Sequence, residues 1–242
     1  MSLPTIAVPE YVLTIPSSGK EVKYRPFLVK EEKLLLLAME SEDENNIIRA
    51  IKNIIDNCVY GEIDANLLPT FDLEYIFLQL RAKSKGEVID LKYECPKCKT
   101  ELPVIINTDE IHISKNKEHT TKIEFDNALG VVMKYPTIEI QQRINQLQTK
   151  SEVESVFQMV KECIDYIYDS ENTYPLKDHT EKEIDDFVNS LSDDHFQKMS
   201  KFFETMPVLK HEFKLNCTKK KKDKICSYKE TITLSGLQSF FV

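Results

Sequence analysis

Four cysteines carry the strongest chemical signal in this chain. Cys95-Pro96-Lys97-Cys98 places two thiols three positions apart, with Val88, Ile89, Leu91 and Tyr93 before them and Leu102, Val104 and Ile106 after. The period of two on both sides predicts two strands meeting at a turn. Cys217 follows the alternating residues His211, Phe213 and Leu215, and Cys226 precedes Thr231, Thr233 and Leu234, so the order strand, cysteine, turn, cysteine, strand occurs twice. Tetrahedral zinc takes four ligands, with sulfur at about 2.3 Å, and a Cys-x-x-Cys hairpin tip supplies two of them without strain. Cys95, Cys98, Cys217 and Cys226 are therefore read as the ligands of one structural Zn2+, a discontinuous zinc ribbon made of two hairpin knuckles. Cys217 follows Cys98 by 119 positions, so such an ion closes a long loop. Four thiolates also fill the coordination shell, which argues against a metal-bound water and hydrolytic chemistry.

Other chemistries find less support. A thioredoxin-like Cys-x-x-Cys opens a helix, whereas Lys99, Thr100 and Glu101 lead back into a strand and offer no helix dipole to acidify a thiol. Cys58 and Cys163 lie on apolar helical stripes and read as buried structural thiols. None of His112, His119, His179, His195 and His211 falls in a metal-ligand pattern, and only His211 is near enough in sequence to stand behind a cysteine ligand. No phosphate-binding glycine loop or nucleophile elbow occurs, in keeping with five glycines in 242 residues. The pairs Asp185-Asp186 and Asp193-Asp194 read as solvated helix surfaces or starts rather than acid and base. No catalytic residue is assigned and no small-molecule substrate is expected. The Lys219-Lys220-Lys221-Lys222 run with Lys224 could let a zinc-ribbon finger touch phosphate, which leaves a nucleic-acid or transcription-associated binding protein as the alternative function. A net charge of -8 and only Tyr228 nearby for stacking weigh against it.

The elements that must position the cysteines read as follows. Residues 10–27 form a hairpin turning at Gly19, and helices follow over 28–40, 44–58 and 72–84, the first of them buried on most sides. Two strands flank Cys95 and Cys98. Strand candidates at 122–125 and 131–135 could extend the same sheet. Helices are predicted over 138–147 and 152–168, then from the Thr180 capping box and from Ser192-Asp193-Asp194. The apolar end with Phe240 and Phe241, like the first hairpin, is candidate binding surface. The expected fold class is α+β: amphipathic helices packed with a small antiparallel sheet and the four-cysteine zinc ribbon. Its regions are 1–86 (hairpin and helices), 87–135 with 207–242 (zinc ribbon and strands) and 136–206 (helical), within one compact unit. No stretch approaches the ~20 apolar residues of a membrane span, and no signal peptide is evident in the first 30 residues.

Several stretches, taken together, resemble the T4-like bacteriophage baseplate hub protein family. They are Tyr24-Arg25-Pro26-Phe27-Leu28-Val29-Lys30-Glu31-Glu32-Lys33 with Met39-Glu40-Ser41, Phe71-Asp72-Leu73-Glu74-Tyr75, Phe202-Phe203-Glu204-Thr205-Met206-Pro207, and Ile232-Thr233-Leu234-Ser235-Gly236-Leu237 to Phe240-Phe241. The resemblance implies a subunit or assembly factor of the central hub of a contractile phage tail. It implies no enzyme activity, with other tail and baseplate proteins as partners. It places the protein in the host cytoplasm during assembly or in the tail baseplate of the virion. Many relatives carry a second Cys-x-x-Cys, whereas here the lysine-bearing loop separates Cys217 from Cys226.

Overall fold

Strand-forming residues on either side of Gly19 build the first pair of elements. β1 (Tyr11–Thr14) and β2 (Glu21–Tyr24) are antiparallel, with buried Leu13 opposite buried Val22. Gly19 turns the chain at φ +69°, a left-handed conformation open to a residue without Cβ. The computed structural model describes residues 6–126, 128–146, 151–221 and 224–236; the tail with Phe240 and Phe241, and Lys222, lie outside the described residues.

Arg25 ties this hairpin to the helices that follow. Its guanidinium donates to one Glu31 carboxylate oxygen at 2.9 Å and to the Asn57 carbonyl at 3.1 Å, while the other Glu31 oxygen accepts from the Leu28 N–H at 2.8 Å. Burial pushes the Glu31 pKa up, but the Arg25 and Leu28 donors outweigh it and hold the carboxyl below its ordinary range. α1 (Val29–Glu40) starts at this point. α2 (Glu44–Cys58) starts where the Asp43 side chain accepts from Asn45 N–H at 2.9 Å, and it buries Ala50, Ile51, Ile54, Ile55 and Cys58.

α1 is less enclosed than the sequence predicts. Only Glu31, Leu35 and Ala38 are buried, and Leu34, Leu36, Leu37 and Met39 are exposed. A run apolar on every side has no polar stripe to turn outward, so packing one face against α2 leaves the rest uncovered. α3 (Thr70–Lys85) ends at Gly86 and is buried along most of its length, with Leu73, Ile76, Phe77, Leu78 and Leu80 inaccessible. Glu74 and Arg81 on this helix are partly covered, and Arg81 Nη1 is buried with no hydrogen-bond partner among the described residues.

β3 (Val88–Glu94) and β4 (Glu101–Asn107) form the hairpin that carries Cys95 and Cys98, in unbroken register from Val88 opposite Asn107 to Glu94 opposite Glu101. A 3-10 turn at Thr108–Glu110 leads to β5 (His112–Ser114). The chain divides into two compact units here: Lys115–Pro207 is the second, and the first resumes at Val208.

In the second unit, β6 (Lys122–Glu124) and β7 (Gly130–Met133) precede α4 (Ile138–Gln146) and α5 (Glu152–Glu162). Next come β8 (Ile164–Tyr168), β9 (Thr173–Pro175), α6 (Glu181–Ser190) and α7 (Asp193–Thr205). Two expectations are corrected. β6 and β7 do not extend the cysteine hairpin; they belong to an antiparallel sheet of order β6-β7-β8-β9. The helix predicted to run to Tyr168 stops at Glu162, because Ile164-Asp165-Tyr166-Ile167-Tyr168 is rich in β-branched and aromatic residues and pairs along β7. The Thr180 capping box forms as predicted, with the Thr180 N–H donating to Glu183 at 2.8 Å, and Ser192 caps α7. Val131, Met133, Val160, Ile164, Met199 and Phe202 center this unit's core.

Back in the first unit, β10 (Val208–Asn216) lies between β5 and β13 (Lys229–Ser235), and the short strands β11 (Lys220–Lys221) and β12 (Lys224–Ile225) interrupt the connection. Leu78 of α3 packs with Ile89, Leu91, Ile106, Ile111 and Leu209, which joins both hairpins to one core. No helix among the described residues is long and apolar enough to cross a membrane.

Two buried details lead to measurable outcomes. Asp72, fully buried at the start of α3, accepts from the Ser17 N–H at 3.0 Å and from the Ser17 hydroxyl, yet burial raises its pKa above the ordinary 3.8. The folded protein therefore binds this proton more tightly than the unfolded chain. The resulting stabilisation is complete below about pH 3.8 and is lost as pH rises through the folded value. Asp72→Asn cannot ionise, so its stability relative to the parent should improve as pH rises from about 3 to 7 in urea titrations; parallel pH profiles would contradict the burial. At Gly130, a Cβ would overlap the Tyr168 ring and the Ile123 carbonyl. Gly130→Ala should lower unfolding stability by about 1–3 kcal/mol, readable in the same titrations.

Candidate metal centre

The two cysteine-bearing turns are shaped by their backbones. In the first, Cys95 N–H donates to the Thr100 carbonyl at 3.0 Å and Lys99 N–H to the Cys95 carbonyl at 2.8 Å. Lys99 takes φ +58°, in the left-handed region. In the second, β11 and β12 pair Lys220 with Ile225 and Lys221 with Lys224, folding the lysine-bearing stretch into a small hairpin. Cys217 N–H donates to the Tyr228 carbonyl and Cys226 N–H to the Lys219 carbonyl, each at 2.9 Å. The longer spacing is thus taken up by an added hairpin, which brings Cys217 and Cys226 together at its base.

The structure brings together all four cysteines singled out from the sequence. Their Sγ atoms lie within 4.8 Å of one another, and all four residues are buried. Two close approaches cross between the segments: Cys95 to Cys226 at 3.9 Å and Cys98 to Cys217 at 3.6 Å. These are free thiols, far beyond the ~2.05 Å of a disulfide. Four sulfurs at about 2.3 Å around a tetrahedral ion stand about 3.8 Å apart, so the donor set and its dimensions fit a thiophilic divalent cation. Leu102 and Leu215 pack on the cluster, and Tyr93 meets Phe213 edge-on at 5.9 Å, which gives it an apolar cover.

The thiols are not equivalent. The Thr100 hydroxyl, 3.3 Å from Cys98 Sγ, and the Thr100 backbone N–H pull Cys98 down to about 6 against the effect of burial. At Cys217 the Lys219 N–H also acts downward, but burial and the neighbouring thiols prevail and push it up to about 12; burial likewise raises Cys226. Thr100 is the residue that sequence reasoning passed over, and its position two residues after Cys98 is the signal that could have found it.

The other candidates lie elsewhere. Burial pushes the Cys58 thiol up to about 11 and the Cys163 thiol up to about 12, which suits inert core residues. His211 does not support a cysteine ligand: its Nδ1 lies 3.3 Å from the Glu110 carbonyl oxygen, and its ring stacks on Phe213. Asp185 pairs with Lys161 at 2.9 Å and Asp194 with Lys198 at 2.7 Å, as solvated helix residues do.

One protein-family model, described as T4 bacteriophage base plate protein, matches residues 8–242. No curated protein matches the chain. No solved structure does so either.

The left-handed backbone at Lys99 costs a side-chain-bearing residue roughly 1–2 kcal/mol, and the exposed pair it forms with Glu94 offsets little of that. Lys99→Gly should therefore raise unfolding stability by about 1 kcal/mol in denaturant titrations. A loss of stability would show that the side chain, not the backbone, sets this turn.

Proposed function

Because this chain belongs to the T4 bacteriophage base plate protein family, we propose that it is a non-enzymatic structural or assembly protein of a contractile tail's baseplate hub. It works through protein–protein contacts with other tail proteins, in the host cytoplasm during assembly and in the tail baseplate. One structural Zn2+ held by Cys95, Cys98, Cys217 and Cys226 clamps the end of the chain to its middle. The observation that carries this reading is the set of four buried sulfurs within 4.8 Å, contributed by segments 119 positions apart. Four thiolates leave zinc no open position, so the metal contributes folding free energy, on the order of 10 kcal/mol in zinc-dependent peptides, and not a reactive water. The ligands must be deprotonated to bind, so the clamp weakens as pH falls.

Metal analysis of the purified protein should give one zinc per chain, and changing any one of the four cysteines to Ser should lose it along with most of the thermal stability. A metal-free protein whose unfolding temperature ignores chelators would remove the clamp. Co-purification with other baseplate proteins tests the hub role. If the protein instead binds nucleic acid, with affinity that falls steeply with salt and with neutralisation of Lys219 and its neighbours, the rival reading replaces the hub role.

A further inference from the structure

The outward face of α1 has an internal symmetry that a surface facing only water does not require. Seen down the helix at about 100° per residue, Glu31, Leu35 and Ala38 point to the core. Lys33 and Glu40 lie together on the opposite side, seven residues or about 10.5 Å apart along the axis. Leu36 and Leu37 sit between them, 48% and 54% exposed, and Leu34 and Met39 line the two margins. These residues pair about the midpoint between Leu36 and Leu37: Leu with Leu, Leu34 with Met39, and Lys33 with Glu40. Neither Lys33 nor Glu40 has an ion-pair partner among the described residues, whereas Lys30 and Glu32 on the flanks are paired with Glu31 and Lys85.

An interface around a two-fold axis must be self-complementary, because residue i of one copy meets j of the other while j meets i. Two α1 helices packed antiparallel about that midpoint satisfy this condition. Leu36 and Leu37 of each copy meet Leu37 and Leu36 of its partner, and each Lys33 faces a Glu40. We propose that this face is the docking surface for a second copy of the same chain, making a two-fold dimer through antiparallel α1 helices. An acidic or uniformly apolar partner would leave one of the two opposite charges unanswered; a second copy in this arrangement matches both.

The test is a concentration series of the full, metal-loaded chain by sedimentation equilibrium. The parent should show a monomer–dimer equilibrium. Lys33→Glu sets like charges face to face at both ends of the helix pair and should weaken the dimer at least about tenfold, as should Glu40→Lys. The double variant K33E/E40K restores opposite charges and should recover the parent's dimerisation. An equimolar mixture of the two single variants should form heterodimers, because each supplies the charge that the other's helix lacks. These exposed substitutions should leave the core intact, which circular dichroism checks. A parent that stays monomeric at every concentration overturns the proposal, including when α1 is protected from hydrogen exchange only after another tail protein is added. So does a dimer indifferent to the single swaps, or one that the double variant fails to restore.

Discussion

Convergence of four buried sulfurs at the meeting point of two hairpins is the constraint on which the first unit depends. These thiols hold their protons unevenly, Cys98 lowered chiefly by Thr100 and Cys217 raised by burial and its neighbouring thiols, and Leu102, Leu215 and Tyr93 pack around them. A cation shared by the four would take each of them in the thiolate form. The same point fixes topology. It joins the β3–β4 hairpin to the β10–β13 hairpin, and the whole of Lys115–Pro207 lies in the loop between them. Loop-closure entropy grows only logarithmically, about 0.6 kcal/mol per doubling, so a folded unit inside the loop adds little to the cost of closing it.

Away from the cysteines, small sheets and short elements are held by a few buried polar contacts. Arg25 and Glu31 connect the first hairpin, the start of α1 and the end of α2, and Asp72 receives both donors of Ser17 at the hairpin turn. These residues lie within or beside the stretches that carry the family resemblance. Their neighbours in those stretches are core: Tyr24 is almost wholly buried, Phe27 stacks on Phe77, and Phe202 packs beside Tyr135. Other residues of the same stretches, Val29, Lys33, Met39 and Glu40, are exposed on α1. Leu36 and Leu37 of the same helix are exposed as well.

Local chemistry was legible in the residues themselves. The hairpin at Gly19, the bounds of α2, the caps at Thr180 and Ser192, and the strands flanking Cys95-Pro96-Lys97-Cys98 all follow from contacts within a few residues, where spacing and side-chain type decide the outcome. So did the grouping of the four cysteines, because each pair ends in a turn that the flanking alternation reveals.

Which elements become neighbours was decided only in three dimensions. Ile164–Tyr168 satisfies a helical stripe as well as a strand, and its ladder with β7 settles the matter. β6 and β7 carry no mark of which sheet they join, and the leucine run of α1 does not say how many of its sides will find a partner. By itself, the sequence determined the α+β composition, the turns and the four thiols, since those are set by short-range geometry. The tertiary structure alone decided strand partnership, the exposure of α1 and the burial of Asp72, since each depends on atoms far away along the chain competing for the same space.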